Sequence, residues 1–159
     1  MTNQFRGKYS FLSSFYSSQF TCRFALIQRR DYVFPSVEYF YQASKAATSE
    51  DFDQIMSCTT PGEAKRMGGH IQLIPSWESV KDSVMLEGVW AKFSQSPYLQ
   101  QKLLATGKEE LIEGNYWNDK YWGVCLKTNQ GQNKLGYLIM HVRQVLADHL
   151  GKTGRYYGN

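Results

Sequence analysis

Three polar side chains stand on one face of an otherwise apolar stretch of the chain. Glu38, Gln42 and Lys45 are spaced so that a helix through residues 35–47 places them on one side, over about two turns. The remaining positions are mostly apolar or small, which is typical of a buried helix: Val37, Tyr39, Phe40, Tyr41, Ala43, Ala46 and Ala47. The polar face either meets solvent or lines a cavity, where a carboxylate can act as a base and an amine of lowered pKa as a nucleophile. The spacing alone leaves both interpretations open.

The other residue types that often carry chemistry form no recognisable site. Cys22, Cys58 and Cys125 are odd in number and far apart, so we expect reduced thiols in a cytoplasmic protein rather than a zinc site or disulfides. The histidines lack metal-site spacing, and we expect neither a metal nor a cofactor. Gly151-Lys-Thr resembles the end of a phosphate-binding loop but follows a predicted helix, so residues 151–159 are expected to form a flexible tail.

The elements that must position these residues are mostly helices. Residues 19–34 suit a short β-hairpin whose turn lies near Arg29-Arg30-Asp31, and Ser36 suits the N-cap of the helix that follows. The segment Gly114–Gly131 has no sustained periodicity and is predicted to be a long loop. Capping residues or periodicity predict further helices that begin at Thr60, Ser76, Ser96 and about Leu135, the last ending near Leu150.

Length and composition place these elements in one domain. The chain has 159 residues, 42% hydrophobic and 20% charged, which is typical of a globular protein. We predict an α+β, mostly α fold: a single compact multihelical domain over 1–159 with a small N-terminal β element. A net charge of +4 argues against a dedicated electrostatic DNA binder but is compatible with an anionic ligand. No apolar run approaches the roughly 18 residues needed to span a bilayer, so we expect a cytoplasmic protein with no membrane partner.

Seven short motifs along the chain follow one another in an order and spacing that resemble the YbiA-like, or NADAR, family. They are Phe11-Leu-Ser-Ser-Phe15-Tyr16, Phe34-Pro35-Ser-Val-Glu38-Tyr-Phe-Tyr-Gln42-Ala-Ser-Lys45, Ala64-Lys65-Arg66-Met-Gly68, Trp77-Glu78-Ser-Val-Lys81-Asp-Ser-Val-Met85, Ala91-Lys92-Phe93, Asp119-Lys-Tyr121-Trp122-Gly123 and Asn133-Lys134-Leu135-Gly136. The resemblance covers about residues 9–147. It implies the YbiA-like fold.

The same resemblance implies an N-glycosidase-type hydrolase that cleaves the bond between ribose and a base nitrogen. The favoured substrate is ADP-ribosylated guanine in nucleic acid, since a mildly basic protein rich in aromatic residues can accommodate a base and its neighbouring phosphates. One alternative is hydrolysis of phosphoribosylamino-pyrimidine intermediates of riboflavin synthesis. Another is a non-catalytic module that binds ADP-ribose or a nucleotide. In each case the expected partner is an ADP-ribose-containing or phosphoribosyl compound.

The resemblance also assigns roles to individual residues. Glu38 is expected to supply negative charge and act as a base, and Lys45 to attack the ribose C1 carbon or, alternatively, to bind phosphate. Asp119 is expected to be a second catalytic carboxylate, although an aspartate in a polar loop is commonly a turn former. The other matched positions are expected to bind substrate: Phe11, Ser14, Phe15, Gln42, Lys65, Trp77, Trp122, Gly123, Asn133 and Lys134.

Three positions depart from the family pattern. Ser14 stands where asparagine is usual, Gly69 replaces a frequent arginine, and Val124 follows Trp122-Gly123 where aspartate or glycine is common. These departures put one ligand hydrogen bond and one phosphate partner in doubt, and they keep the binding-module alternative open. The retained triplet of Glu38, Gln42 and Lys45 favours an active enzyme.

Overall fold

The structure is a computed structural model that describes residues 3–24 and 30–156. Its fold is α+β and mostly α, as the sequence predicts. The helices are a 3-10 helix at Gly7–Leu12, α1 Val37–Ser44, α2 Ser49–Met56, α3 Pro61–Gly68, α4 Trp77–Ser94, α5 Pro97–Ala105 and α6 Lys134–Tyr156. The strands are β1 Phe20–Phe24, β2 Arg30–Phe34, β3 Gly114–Asn115 and β4 Val124–Cys125. Within the described ranges, no helix combines the length and the apolar character that crossing a membrane requires.

The chain divides into two compact units. The first, Ser14–Gln95, contains β1, β2 and helices α1 to α4. The second combines Met1–Ser13 with Ser96–Asn159 and contains the 3-10 helix, α5, α6, β3 and β4.

The predicted hairpin is the antiparallel pair β1 and β2 of the first unit. Phe20 pairs with Phe34 at its open end, while the turn predicted near residues 29–31 lies partly outside the described residues. The rings of Phe20 and Phe34 both contact Phe40 of α1, with centroid separations of 5.9 and 5.1 Å and nearly perpendicular planes. This edge-to-face aromatic cluster joins the hairpin to α1.

Helix α1 lies in the core of the first unit. The Ser36 side chain accepts a hydrogen bond from the Tyr39 backbone N–H at 3.4 Å, which confirms the predicted N-cap. Every residue of α1 is buried, because α2, α3 and α4 all pack against it. At Gly88 of α4, a Cβ atom would lie 2.7 Å from Cδ1 of Phe40. Glycine is therefore required there for the two helices to approach this closely.

Helix α1 ends earlier than predicted. The Lys45 carbonyl accepts a hydrogen bond from Ile74 N–H, and Ala47 N–H donates to the Gln72 carbonyl, both at 2.9 Å. These bonds draw residues 45–47 into an isolated β-bridge between Ala46 and Leu73. A helix through Ala47 would need the Ala47 N–H for a bond to the Ala43 carbonyl, so the predicted range 35–47 was too long. A separate helix, α2, follows at once.

Local capping signals located the starts of α3 and α5 correctly, whereas α2 and the 3-10 helix were not predicted. Thr60 accepts from the Glu63 N–H at the start of α3, and Ser96 accepts from the Leu99 N–H at the start of α5. Gly107, placed by prediction at the end of α5, has a φ of +60°, a conformation that favours glycine. The side chain of Ser76 precedes α4 as predicted but makes no capping hydrogen bond.

Two features of the second unit differ from the sequence prediction. The segment Gly114–Gly131 is not simply a loop, because β3 and β4 form a two-residue parallel pair within it. Asn115 is buried there, and its side-chain amide bonds the backbone of Asp119 and Val124. Helix α6 also continues past Leu150 to Tyr156, into the stretch predicted to be a flexible tail. The sequence did not predict β3 and β4, because strands of two residues are too short to produce a period-two pattern.

Candidate active site

The Glu38 carboxylate is buried in the first unit and accepts two side-chain hydrogen bonds. Ser14 Oγ donates to Oε2 at 3.1 Å, and Gln42 Nε2 donates to Oε1 at 2.7 Å. Glu38 N–H also donates to the Ser14 carbonyl at 3.0 Å, so the segment before the hairpin is joined to the first turn of α1 by both backbone and side chain. A buried charge needs such donors, because it has lost its water. Together these contacts fix the orientation of the carboxylate.

Gln42 lies one turn after Glu38 and connects that carboxylate to helix α3. Its amide is 3% exposed, and Nε2 makes the 2.7 Å bond to Glu38. Its Oε1 is buried without a hydrogen-bond partner in the described part of the chain. That oxygen is packed against the backbone of Gly68, the last residue of α3. The predicted polar face of α1 is therefore buried at Glu38 and Gln42 and is not a solvated stripe.

Lys45 stands at the C-terminal end of α1 between two aromatic rings. Its Nζ lies 5.2 Å from the centroid of the Tyr41 ring and 5.9 Å from that of Trp77. The two rings contact each other edge to face at 5.1 Å. The bonds of Lys45 and its neighbour Ala47 to residues 72–74 hold this end of α1 beside the start of α4. The half-buried ammonium thus lies beside two aromatic rings.

This environment lowers the pKa of Lys45 below its usual range. Burial is the main cause, since desolvation disfavours the charged amine. The carboxylate of Glu38 acts in the opposite direction, whereas the positive charges of Lys65 and Lys81 lower the pKa further. A larger fraction of the amine is therefore neutral at a given pH, which is the form that acts as a nucleophile.

Phe15 and Lys65 are the more exposed predicted residues of the first unit. Lys65 Nζ lies 5.8 Å from the centroid of the Phe15 ring, and the phenylalanine is 41% exposed. Lys81 is only partly exposed, and its Nζ donates to Glu78 Oε2 at 2.7 Å. Its positive charge lowers the pKa of Lys45, and the sequence prediction did not include Lys81 among the site residues.

The Asp119 carboxylate of the second unit organises its own loop. Oδ1 accepts hydrogen bonds from the backbone N–H groups of Tyr121 and Trp122, at 3.1 and 3.0 Å. This is the geometry of an Asx turn, the structural role that an aspartate in a polar loop commonly has. The rings of Tyr121 and Trp122 meet edge to face at 4.9 Å. The catalytic role assigned to Asp119 stays a prediction.

Asn133 also has structural bonds in this unit. Its side chain accepts from the Glu113 N–H at 2.9 Å and donates to the Leu111 carbonyl at 3.0 Å, while the residue is 5% exposed. Gly123 packs so closely on the Glu113 carbonyl that a Cβ there would overlap it. The substrate-binding roles predicted for both residues likewise stay predictions.

Lys134 and Phe11 complete the predicted residues of the second unit. Lys134 Nζ donates to the Tyr121 hydroxyl at 3.1 Å and lies 4.4 Å from the centre of that ring. Phe11 is buried, and Lys102 Nζ lies 4.6 Å from its ring centroid.

The structure thus brings part of the predicted set together around α1. Ser14, Gln42 and Glu38 form one hydrogen-bonded group, and Lys45, at the C-terminal end of α1, forms a second group with Trp77 of α4. The sequence prediction missed Tyr41, whose i, i+4 spacing to Lys45 was the available signal. The other predicted residues of this unit are Phe15 and Lys65, and those of the second unit are Phe11, Asp119, Trp122, Gly123, Asn133 and Lys134. Among the residues described here, no three histidine, cysteine or acidic side chains are grouped so that they could hold a metal ion.

Comparison with known proteins gives a consistent result. The model of the NADAR domain family matches residues 2–147. The chain is similar to the N-glycosidase YbiA of Shigella boydii, with 39% identity over 71% of each chain. It is also similar to the maize chloroplastic riboflavin biosynthesis protein PYRR, with 33% identity over 70% of this chain and 20% of that protein. The NMR structure of Escherichia coli YbiA matches with a TM-score of 0.76 and 32% identity, over 94% of this chain and 88% of that one.

Proposed function

The chain belongs to the NADAR domain family, and we propose that it is an N-glycosidase that removes ADP-ribose from ADP-ribosylated guanine in nucleic acid. The N-glycosidase activity named for YbiA, 39% identical to this chain, supports the reaction class. The observation that carries the assignment of residues is the arrangement on α1. A buried carboxylate with two fixed donors stands on the same helix as a lysine of lowered pKa.

The proposed chemistry divides between these two groups. The neutral Lys45 amine attacks C1 of the ribose, and the bond from C1 to the base nitrogen breaks. The departing nitrogen keeps the electron pair and takes up the proton that the attacking amine loses. The negative charge of Glu38 stabilises the positive charge that develops at C1. Opening of the ribose ring at the bond from C1 to the ring oxygen then gives an imine between C1 and the lysine nitrogen. Water activated by Glu38 adds to C1 of this imine, and cleavage of the bond from C1 to the lysine nitrogen releases the ribose product and returns the free amine.

A turnover assay with matched lysine variants tests the proposal. The purified protein receives DNA carrying ADP-ribosylated guanine, and released ADP-ribose is measured by mass spectrometry. Lys45→Ala and Glu38→Gln are each expected to reduce turnover by about 10²- to 10⁴-fold, the usual range for an essential acid, base or nucleophile. Lys108→Ala, at an exposed lysine of the second unit, is the control and is expected to keep wild-type turnover.

A trapping experiment separates the two roles considered for Lys45. Borohydride added during turnover reduces an imine between the lysine and the ribose, which leaves a stable adduct on the Lys45 peptide. A lysine that only binds phosphate gives no adduct. Wild-type turnover by folded Lys45→Ala and Glu38→Gln variants would refute the residue assignment.

The similarity to a riboflavin biosynthesis protein favours a second candidate substrate, a phosphoribosylamino-pyrimidine. The two substrates differ in their response to salt. Affinity for nucleic acid falls steeply as the salt concentration rises, because binding releases several counterions from the phosphates. Affinity for a compound with a single phosphate changes little with salt. Offering both compounds side by side decides between them. Tight binding without product from either would instead support a non-catalytic ADP-ribose-binding module.

A further inference from the structure

Gly68 occupies a position at which any side chain would collide with the candidate active site. It is the buried last residue of α3, and its backbone faces the amide of Gln42. A Cβ atom at this position would overlap Gln42 Oε1 and would lie 2.7 Å from Gln42 Cδ. Helix α3 can pack this closely against α1 because residue 68 has no side chain.

The Gln42 amide has little freedom to move away from such a side chain. It is 3% exposed, so the core surrounds it, and its Nε2 is committed to Glu38 at 2.7 Å. Within the described residues its Oε1 has no donor that would fix the rotation of the amide. The Glu38 carboxylate therefore holds the amide through Nε2, and the Gly68 backbone packs against Oε1.

We infer that Gly68 is a positioning residue, which acts through Gln42 to hold the Glu38 carboxylate in its reactive orientation. The inference rests on the proposed function, because it takes Glu38 to be the group that acts on the ribose. Gly68 contributes no atom to the chemistry. Its absent side chain leaves the volume that Gln42 Oε1 occupies, and Glu38 Oε1 keeps its 2.7 Å donor as a result.

Gly68→Ala tests this inference, with Gly62→Ala as the matched control. Both glycines belong to α3, but a Cβ at Gly62 meets only Thr60 Oγ1, at 3.9 Å. The first readout is the side-chain amide signal of Gln42 in a proton–nitrogen NMR spectrum, identified by its loss in Gln42→Ala. We expect Gly68→Ala to shift this signal and speed its hydrogen exchange, because the bond to the carboxylate is broken. Gly62→Ala is expected to leave the signal in place.

The second readout is steady-state turnover of the DNA substrate described above. We expect Gly68→Ala to lower kcat by about tenfold or more and to change KM by less than twofold, since a misplaced carboxylate affects the reacting atoms more than substrate affinity. In the Gln42→Ala background the added methyl group has room. In that background Gly68→Ala is expected to cause no further loss of kcat. The double variant also provides the test if the single Gly68→Ala variant does not fold.

The outcomes separate this inference from the proposed function. An unchanged Gln42 signal in Gly68→Ala would overturn the inference. So would a loss of kcat on Gly68→Ala that is the same in the wild-type and the Gln42→Ala backgrounds. If wild-type protein cleaves neither probe, the proposed function fails, and the role of Gly68 in the reaction fails with it. The NMR arm would then still show whether Gly68 fixes the amide.

Discussion

Removing the Ser14 hydroxyl is expected to destabilise the protein by an amount that the geometry sets. Its Oγ donates to Glu38 Oε2 at 3.1 Å, and the carboxylate is 6% exposed. A hydrogen bond to a charged group contributes about 1.5–3 kcal/mol. The distance of 3.1 Å is long for a hydroxyl–carboxylate pair, and Ser14 is only half-buried, so the lower end applies and we expect Ser14→Ala to cost about 1.5 kcal/mol.

Urea denaturation at pH 7 measures this cost as a difference in the free energy of unfolding. Ser14→Thr retains a hydroxyl and is expected to recover most of the loss. Ser17→Ala, at an exposed serine of the same segment, is expected to change stability by less than about 0.5 kcal/mol. If Ser14→Ala unfolds within that same margin of wild type, the reasoning that its hydroxyl supports the buried carboxylate is refuted.

Four further predictions concern the stability contribution of Lys45, the effect of Lys65 on its pKa, the packing of α1 and a buried thiol. Burial lowers the pKa of Lys45 in the folded state. At pH values between the folded and the unfolded pKa of this lysine, the unfolded chain therefore binds one more proton than the folded protein does. Its contribution to the free energy of unfolding therefore rises with pH through that window, and Lys45→Met should lack the rise. Lys65→Met removes a like charge and should raise the pKa of Lys45, measured from the pH dependence of its reductive methylation; a fall would contradict the electrostatic account. Gly88→Ala places a methyl group against Phe40 and should cost about 1–3 kcal/mol in urea denaturation, whereas no loss would mean that the helices are less closely packed. Burial, followed by the charge of a nearby glutamate, raises the pKa of Cys22 to about 12, so iodoacetamide at pH 8 should modify it only after unfolding, as peptide mass spectrometry would show.

Local signals in the sequence predicted most of the helices. Thr60 and Ser96 were recognised as N-caps because the capping hydrogen bond is made within four residues, and the structure contains both bonds. The hairpin of β1 and β2 was recognised for a similar reason, since its strands are close in sequence. Features that depend on distant partners were missed. The end of α1 is set by bonds to residues 72–74, and no signal within α1 itself specifies them.

The sequence determined which polar groups share one face of α1, because helical periodicity fixes that from spacing alone. It left open whether Glu38, Gln42 and Lys45 meet solvent or form a site. The tertiary structure decided this, since burial and partner contacts come from segments far along the chain: Ser14 for the carboxylate, Gly68 for the amide and Trp77 for the amine. The lowered pKa of Lys45 likewise depends on desolvation by these segments. Spacing along a chain carries no information about such desolvation, because it arises only when the helices pack together.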